Sequence, residues 1–264
     1  MVLCPDVLEC INSISNNYHP MKRVKFLNTE VDNVTLEEAL HEIEALVEKR
    51  TPSYVVTPNI NHIVILDADE EFKEVYQNAD LILTDGLPLI WLSKLKRNPI
   101  KEKVSGSDLF PKVCKLAAHK NFTMFFLGGL EGVAKTAAEK LKEKYPGLKV
   151  VGTCSPPFGF EKDSAEINRI IDMVQSASPD ILAVGLGCPK QEKFIYKYKK
   201  ELNVPVSLAI GASLDFEAGS VRRAPRWMQK AGLEWLYRIC AEPKRLFKRY
   251  LTDGIKIIKI VLKY

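Results

Sequence analysis

A chain of 264 residues, 46% hydrophobic and 27% charged, has enough apolar material for one large core and too much for bulk disorder. The net charge of +5 is unevenly placed: residues 222–264 carry 12 Lys and Arg against three acids, which leaves the preceding residues mildly acidic. A basic tail on an acidic body points to an anionic partner for the tail, whether membrane headgroups, a pyrophosphate or nucleic acid.

Residues 1–20 lack a cationic start and a long apolar run, so they read as a loosely ordered extension, not a signal peptide, and Met21 offers an alternative start. No 18 apolar residues run uninterrupted, so no transmembrane helix is expected. The six cysteines, at 4, 10, 114, 154, 188 and 240, show no zinc spacing and read as reduced thiols of a cytosolic protein.

Residues 21–221 read as the α/β catalytic domain. Thr35 and Glu38 form a capping-box pattern that opens a helix to about Lys49. Strands are predicted at 54–57, 81–84, 123–127, 149–152, 181–185 and 206–210. Helices are predicted near 60–78, 87–96, 106–119, 130–145, 164–177 and 190–200. The strands are apolar along their length, as strands covered on both faces are. The fold expected is α/β, Rossmann-like, with a mostly parallel sheet and helices on both faces. From residue 222 the chain reads as a basic helical C-terminal appendage. Pro225 suits a first helical turn, and Pro243 marks a new start. Beyond it Leu246, Phe247, Tyr250, Leu251, Ile255, Ile258 and Leu262 interleave with Lys and Arg at helical spacing. Such a helix suits a membrane interface; an apolar stripe of this kind can also be covered by a second copy of the chain.

Ligands of doubly wound sheets bind where strands end. Thr57-Pro58-Asn59-Ile60-Asn61 follows one strand and offers carboxamides to sugar hydroxyls or a uracil edge, or else caps a helix. Thr84-Asp85-Gly86 puts a carboxylate at a strand end, suited to a general base if burial raises its pKa, or else to helix capping. Gly128-Gly129, in a strand–glycine–helix turn, suits a phosphate or tight packing. Gly185-Leu186-Gly187-Cys188-Pro189-Lys190-Gln191-Glu192 is a second such turn, and Asp215 follows the last strand. Asp67-Ala68-Asp69 has a metal-site spacing but falls inside a helical pattern, and the histidines show no ligand spacing. No metal and no cofactor are expected.

In this order, and with Arg223-Ala224-Pro225-Arg226-Trp227, Gly232-Leu233-Glu234-Trp235, Arg238 and Glu242-Pro243-Lys244-Arg245 following, these segments resemble the WecG/TagA/CpsF glycosyltransferases from about Phe26 to Tyr250. The resemblance implies an inverting, metal-independent transferase of a UDP-sugar, most typically N-acetylmannosamine, onto N-acetylglucosamine carried on undecaprenyl diphosphate, in wall teichoic acid or similar surface polymers. It implies Asp85 as base, Thr57 and Asn59 as active-site residues, and Gln191 and Asp215 near the nucleotide-sugar. It further implies that the tail meets the inner face of the cell membrane, with Arg238 and Arg245 reaching a diphosphate. Lys103 stands where the family's arginine is expected; it supplies a point charge but no bidentate fork. The competing readings are weaker. A dinucleotide-dependent oxidoreductase or epimerase lacks its glycine fingerprint and ribose acid. A nucleotide-binding regulator needs no base at position 85. No nucleic-acid module accompanies the basic tail, so no nucleic-acid partner is expected.

Overall fold

The computed structural model describes residues 23–264. The N-terminal extension and the start at Met21, with Cys4 and Cys10, lie outside the described residues; Cys114, Cys154, Cys188 and Cys240 are free thiols.

Two short strands, β1 (Arg23–Phe26) and β2 (Thr29–Asp32), pair as an antiparallel hairpin. Then follow α1 (Leu36–Lys49), β3 (Ser53–Val56), α2 (Ile60–Leu66), α3 (Glu70–Gln77), β4 (Leu81–Ile82), α4 (Leu87–Leu95), α5 (Gly106–Lys120) and β5 (Thr123–Gly128). The second half comprises α6 (Val133–Lys144), β6 (Lys149–Cys154), α7 (Ser164–Ala177), β7 (Ile181–Gly185), α8 (Lys190–Leu202), β8 (Val206–Ala209), α9 (Ser213–Ala218), α10 (Arg226–Lys230), α11 (Glu234–Ala241) and α12 (Pro243–Lys263). The six-stranded sheet runs β4-β3-β8-β7-β5-β6, with every pairing parallel. The α/β, Rossmann-like expectation is met.

The strands explain themselves by side-chain alternation. In β5, Phe125 and Leu127 enter one apolar cluster, with α2, α3, α7 and α8, while Met124 and Phe126 enter the other, with α1, α5 and α6. Leu182 and Val184 of β7 likewise oppose Ile181 and Ala183. Period-two side chains that are apolar on both faces need helices on both faces. The Thr35–Glu38 capping box forms as read: Glu38 N–H donates to Thr35 Oγ1 at 3.2 Å, and Thr35 N–H to Glu38 Oε2 at 2.7 Å.

Three expectations need correction. The hairpin was not foreseen, because its strands are four residues each and half polar. A long-range contact supports it: buried Asp32 pairs with Arg23 at 2.9 Å and accepts Ile82 N–H at 2.8 Å, covering the β4 edge. The single helix expected over 60–78 is two. Asp67 ends α2 and Asp69 caps α3 by accepting Phe72 N–H at 3.0 Å, so the Asp67-Ala68-Asp69 run is a helix break; its acids pair with Lys263 and Lys193. Pro225 precedes α10 as its N-cap, because its extended ψ of 146° is not helical.

Glycines let neighbouring strand ends approach. A Cβ on Gly128, whose φ is +128°, would stand 2.3 Å from the Gly185 carbonyl oxygen, and one on Gly185 would stand 2.8 Å from that of Gly211. Gly128→Ala is therefore expected to cost roughly 2–5 kcal/mol through backbone strain and overpacking, measurable as a lowered denaturant midpoint.

The C-terminal helix α12 lies against α2. Leu246, Asp253 and Ile260 are its buried residues, spaced by seven so that they fall on one stripe. Asn61 Nδ2 donates to Asp253 Oδ2 at 3.0 Å, and Lys96 Nζ donates to the Val261 carbonyl at 2.6 Å. Phe247, Leu251, Ile255, Ile258 and Leu262 are exposed on another stripe. No described helix is long and apolar enough to cross a membrane.

Candidate active site

Because β4, β3, β8 and β7 are neighbours, the loops that follow them meet at one end of the sheet. Asp85 follows β4. Leu83 N–H donates to the Val56 carbonyl, Asp85 N–H to the Pro58 carbonyl, and Val104 N–H to the Thr84 carbonyl, each at 2.8 Å. The backbone on either side of the carboxylate is thus held on three sides. The side chain does not cap α4, whose N-cap is Gly86 with no side-chain hydrogen bond. Among the described residues none donates a hydrogen bond to the Asp85 carboxylate. Burial pushes its pKa up to about 6; Glu234 and Asp108 add to the rise, while Lys103 and His62 oppose it. A carboxylate poised near neutrality suits removal of a proton from a bound hydroxyl.

One wall is a charged network. Lys103 Nζ lies 2.5 Å from Asp108 Oδ2, and Ser105 Oγ donates to the same oxygen at 2.7 Å. Arg223 donates through Nη2 to Asp108 Oδ1 at 2.6 Å and through Nε to Glu234 Oε1 at 3.2 Å. The Lys103 ammonium and these hydrogen bonds outweigh burial and hold Asp108 below the usual carboxylate range. Arg223 and Glu234 lie beyond residue 221, so the first turns of the tail are built into this wall. Both lie within the motif strings, whose spacing assigns neither a role. Lys103 is the largest influence lowering the Asp85 pKa. Lys103→Met is expected to move the acid limb of the pH–rate profile to higher pH and lower turnover at least tenfold, read from initial rates across pH.

The other wall is a buried chain of polar groups. Asn59 is the N-cap of α2, accepting Asn61 N–H at 3.0 Å. His62 Nδ1 lies 2.8 Å from Asn59 Oδ1, and His62 Nε2 lies 3.2 Å from Glu192 Oε1. Gln191 Nε2 donates to Glu192 Oε1 at 2.7 Å, while Gln191 Oε1 accepts Gly211 N–H at 3.0 Å. The loops after β3, β7 and β8 are joined by these bonds. His62 and Glu192 were missed because 130 residues separate them; the only signal was that Glu192 closes one motif string and His62 directly follows another. His62, Cys188 and Glu192 also bring potential ligand atoms within 4.8 Å of one another.

The remaining sequence-predicted residues are placed as follows. Thr57 is buried, with Oγ1 3.4 Å from the Ala209 carbonyl oxygen. Asn61 is engaged by Asp253 of α12. Gly129 N–H donates to the Gly185 carbonyl at 3.2 Å, and the Gly128 carbonyl accepts Ser155 Oγ at 3.0 Å, so this turn is largely occupied by packing between strands. Asp215 is half-buried and pushed up by burial, against a lowering by Ser220 and the nearby Arg238. Arg245 starts within α12, and its side chain lies outside the described residues. The shallow depression between β6 and α7, lined by Val151, Thr153, Arg169 and Met173, contains none of the site residues.

Residues 24–264 match the family model described as Glycosyl transferase WecG/TagA/CpsF family. The chain is similar to proteins named N-acetylglucosaminyldiphosphoundecaprenol N-acetyl-beta-D-mannosaminyltransferase. It is 29% identical to that of Bacillus spizizenii over 93% of this chain and 91% of the relative. With that of Bacillus subtilis strain 168 it shares 33% identity over 75% of this chain and 73% of the relative. With that of Staphylococcus aureus strain MRSA252 the identity is 25% over 85% and 87%. A family match over nearly every described residue, on a parallel sheet whose strand ends gather an acid, carboxamides and cations, leads to one conclusion: this chain belongs to the WecG/TagA/CpsF glycosyltransferase family.

Proposed function

We propose that the chain transfers N-acetylmannosamine from its UDP conjugate to N-acetylglucosamine carried on undecaprenyl diphosphate, with inversion, in the assembly of a teichoic-acid-type surface polymer. The observation that carries the mechanism is the Asp85 carboxylate, without a hydrogen-bond donor among the described residues and raised by burial to about 6 at the meeting of four strand-end loops. Asp85 takes the proton of the acceptor hydroxyl as its oxygen attacks the anomeric carbon from the face opposite UDP. The new C–O bond forms as the bond to the β-phosphate breaks, through an oxocarbenium-like state. UDP leaves with its bonding electron pair, and Asp85 later releases its proton to water. The departing charge needs cationic donors nearby, a role that suits Lys103, Arg238 and Arg245. Gln191 and Asp215 serve the nucleotide-sugar, and Thr57, Asn59 and Asn61 shape the sugar side.

The tail supplies the surface on which such an acceptor is met. Residues 222–264 form the docking appendage, with the exposed face of α12, rimmed by Lys248, Lys256 and Lys259, lying in the cytoplasmic leaflet. Trp91, Leu95 and Trp227 are exposed as well. The enzyme is peripheral on the inner face of the membrane in this reading.

A screen of UDP-sugars against a lipid-diphosphate-N-acetylglucosamine analogue, measuring UDP release, tests the assignment. UDP-N-acetylmannosamine is expected to give the highest rate. Equal slow hydrolysis of every donor, with or without acceptor, refutes it. Binding to vesicles containing anionic lipid is expected to fall at least tenfold when Leu251, Ile255 and Ile258 are replaced by Ser, because each buried apolar side chain is worth about 1.5–3 kcal/mol. A dimer that dissociates in the same variant, with vesicle binding unchanged, assigns that face to a second copy of the chain instead.

A further inference from the structure

The buried wall of the site fixes the protonation of His62. Asn59 Oδ1 accepts two helix N–H groups, from Asn61 at 3.0 Å and His62 at 3.4 Å. Those donors determine which end of the carboxamide faces the helix. His62 Nδ1 lies 2.8 Å from that same oxygen, so Nδ1 must carry a hydrogen. Nε2 lies 3.2 Å from Glu192 Oε1, which is also an acceptor. A ring with acceptors at both nitrogens is satisfied only when both are protonated. The Asn59 N–H also points at Nδ1, at 3.3 Å, but this longer contact does not offset two lone pairs facing each other at 2.8 Å. Glu192 is fully buried and its Oε2 has no hydrogen-bond partner among the described residues. A buried carboxylate satisfied at only one oxygen requires a charged neighbour.

We propose that His62 is a positioning residue held as an imidazolium: it ties the Asn59 loop to the Gln191–Glu192 turn and sets a fixed positive charge beside the Asp85 crevice. Burial alone would lower the His62 pKa, but the Cys188 sulfur and the Glu192 carboxylate outweigh it and raise it. Burial in turn keeps Cys188 above the ordinary thiol range. The titratable groups facing this centre are Tyr76 of α3, Asp85 after β4, Cys188 in the loop before α8, Glu192 in the first turn of α8, and Arg249 and Asp253 of α12. Around Asp85 itself stand Lys103, Asp108 and Glu234. Loss of the His62 charge removes one of the influences that keep Asp85 from rising further.

The inference rests on Asp85 as base, and two measurements on the full chain separate the two claims. In ring-15N-histidine-labelled protein, both His62 nitrogens are expected to remain protonated across neutral pH, with His62→Gln assigning the resonances. A neutral ring overturns the proposal. So does a ring nitrogen bound to a zinc ion that a chelator releases, since His62, Cys188 and Glu192 also have the composition of a soft-cation site. In kinetics, His62→Gln is expected to lower turnover about tenfold or more, with a smaller change in KM for the donor, and to move the acid limb to higher pH. A uniform loss at every pH with the limb unmoved overturns it. Asp85→Asn in parallel tells which claim failed: retained turnover there refutes the base, and lost turnover with a fixed His62→Gln limb refutes the role of His62.

Discussion

Asp85→Asn is expected to lower turnover by about 100- to 10,000-fold, the range a positioned general base contributes, while the Kd for the UDP-sugar changes only a few-fold. Asparagine keeps the size of the side chain and the three backbone bonds around it, so substrate binding has no reason to fail. The same variant is expected to be more stable than the parent at neutral pH. Burial raises the folded-state pKa of Asp85 from 3.8 to about 6, so ionising it costs the folded state more than the unfolded one. That cost is absent below the unfolded value, grows through the interval, and is complete above about pH 6. Removing it is worth roughly 1–3 kcal/mol at neutral pH, less where solvent screens the charge. Thermal unfolding near pH 4 and near pH 7.5 checks the sign. A gain at the higher pH alone is expected, and equal melting temperatures at both would leave Asp85 an ordinary surface acid. For the parent enzyme, activity is expected to rise as pH passes through about 6, because the base must be ionised.

Deletion from Arg222 onward is the second large effect. The lost segment contributes Arg223 to Asp108, Glu234 to Arg223, Arg238 near Asp215, and Asp253 to Asn61. Turnover is expected to fall by about a thousandfold or more, because charge stabilisation at the leaving group alone is worth 100- to 1000-fold for each donor lost. Vesicle binding is expected to vanish with it. The point variant Arg223→Met separates the two tasks: it should retain vesicle binding and lose about tenfold or more in turnover, since Asp108 and Glu234 lose a shared cation. A truncated protein with full turnover on a soluble acceptor would refute a catalytic part for the tail.

Local patterns made much of this molecule readable. Apolar runs marked the strands of the parallel sheet, because side chains on both faces of a buried strand must be apolar; the edge strand β6 is the exception, with Lys149 and Val151 exposed. Thr35 and Glu38 announced a helix start by the bonds they make within one turn. The motif strings marked strand ends, and the family resemblance singled out Asp85, Asn59 and Gln191 among them before any contact was known. The β1–β2 hairpin escaped notice because Asp32 earns its burial from Ile82 and Arg23, partners that no four-residue window contains. The break at Asp67–Asp69 escaped because an apolar period continued across it, while capping and the ion pairs to Lys263 and Lys193 favoured two helices.

The sequence by itself determined the α/β class, the strand ends where chemistry collects, and a basic amphipathic helix at the C-terminal end; which of its stripes the body buries came only with the fold. Only the tertiary structure decided that β8 lies between β3 and β7, which joins residues near 57, 191 and 211 into one site. It alone decided that Arg223 and Glu234 complete the wall beside Asp85, and that His62 meets Glu192. The division has a physical cause. Periodicity and capping are properties of neighbours along the chain, whereas the partner of a buried charge is chosen by packing among groups that sequence leaves far apart.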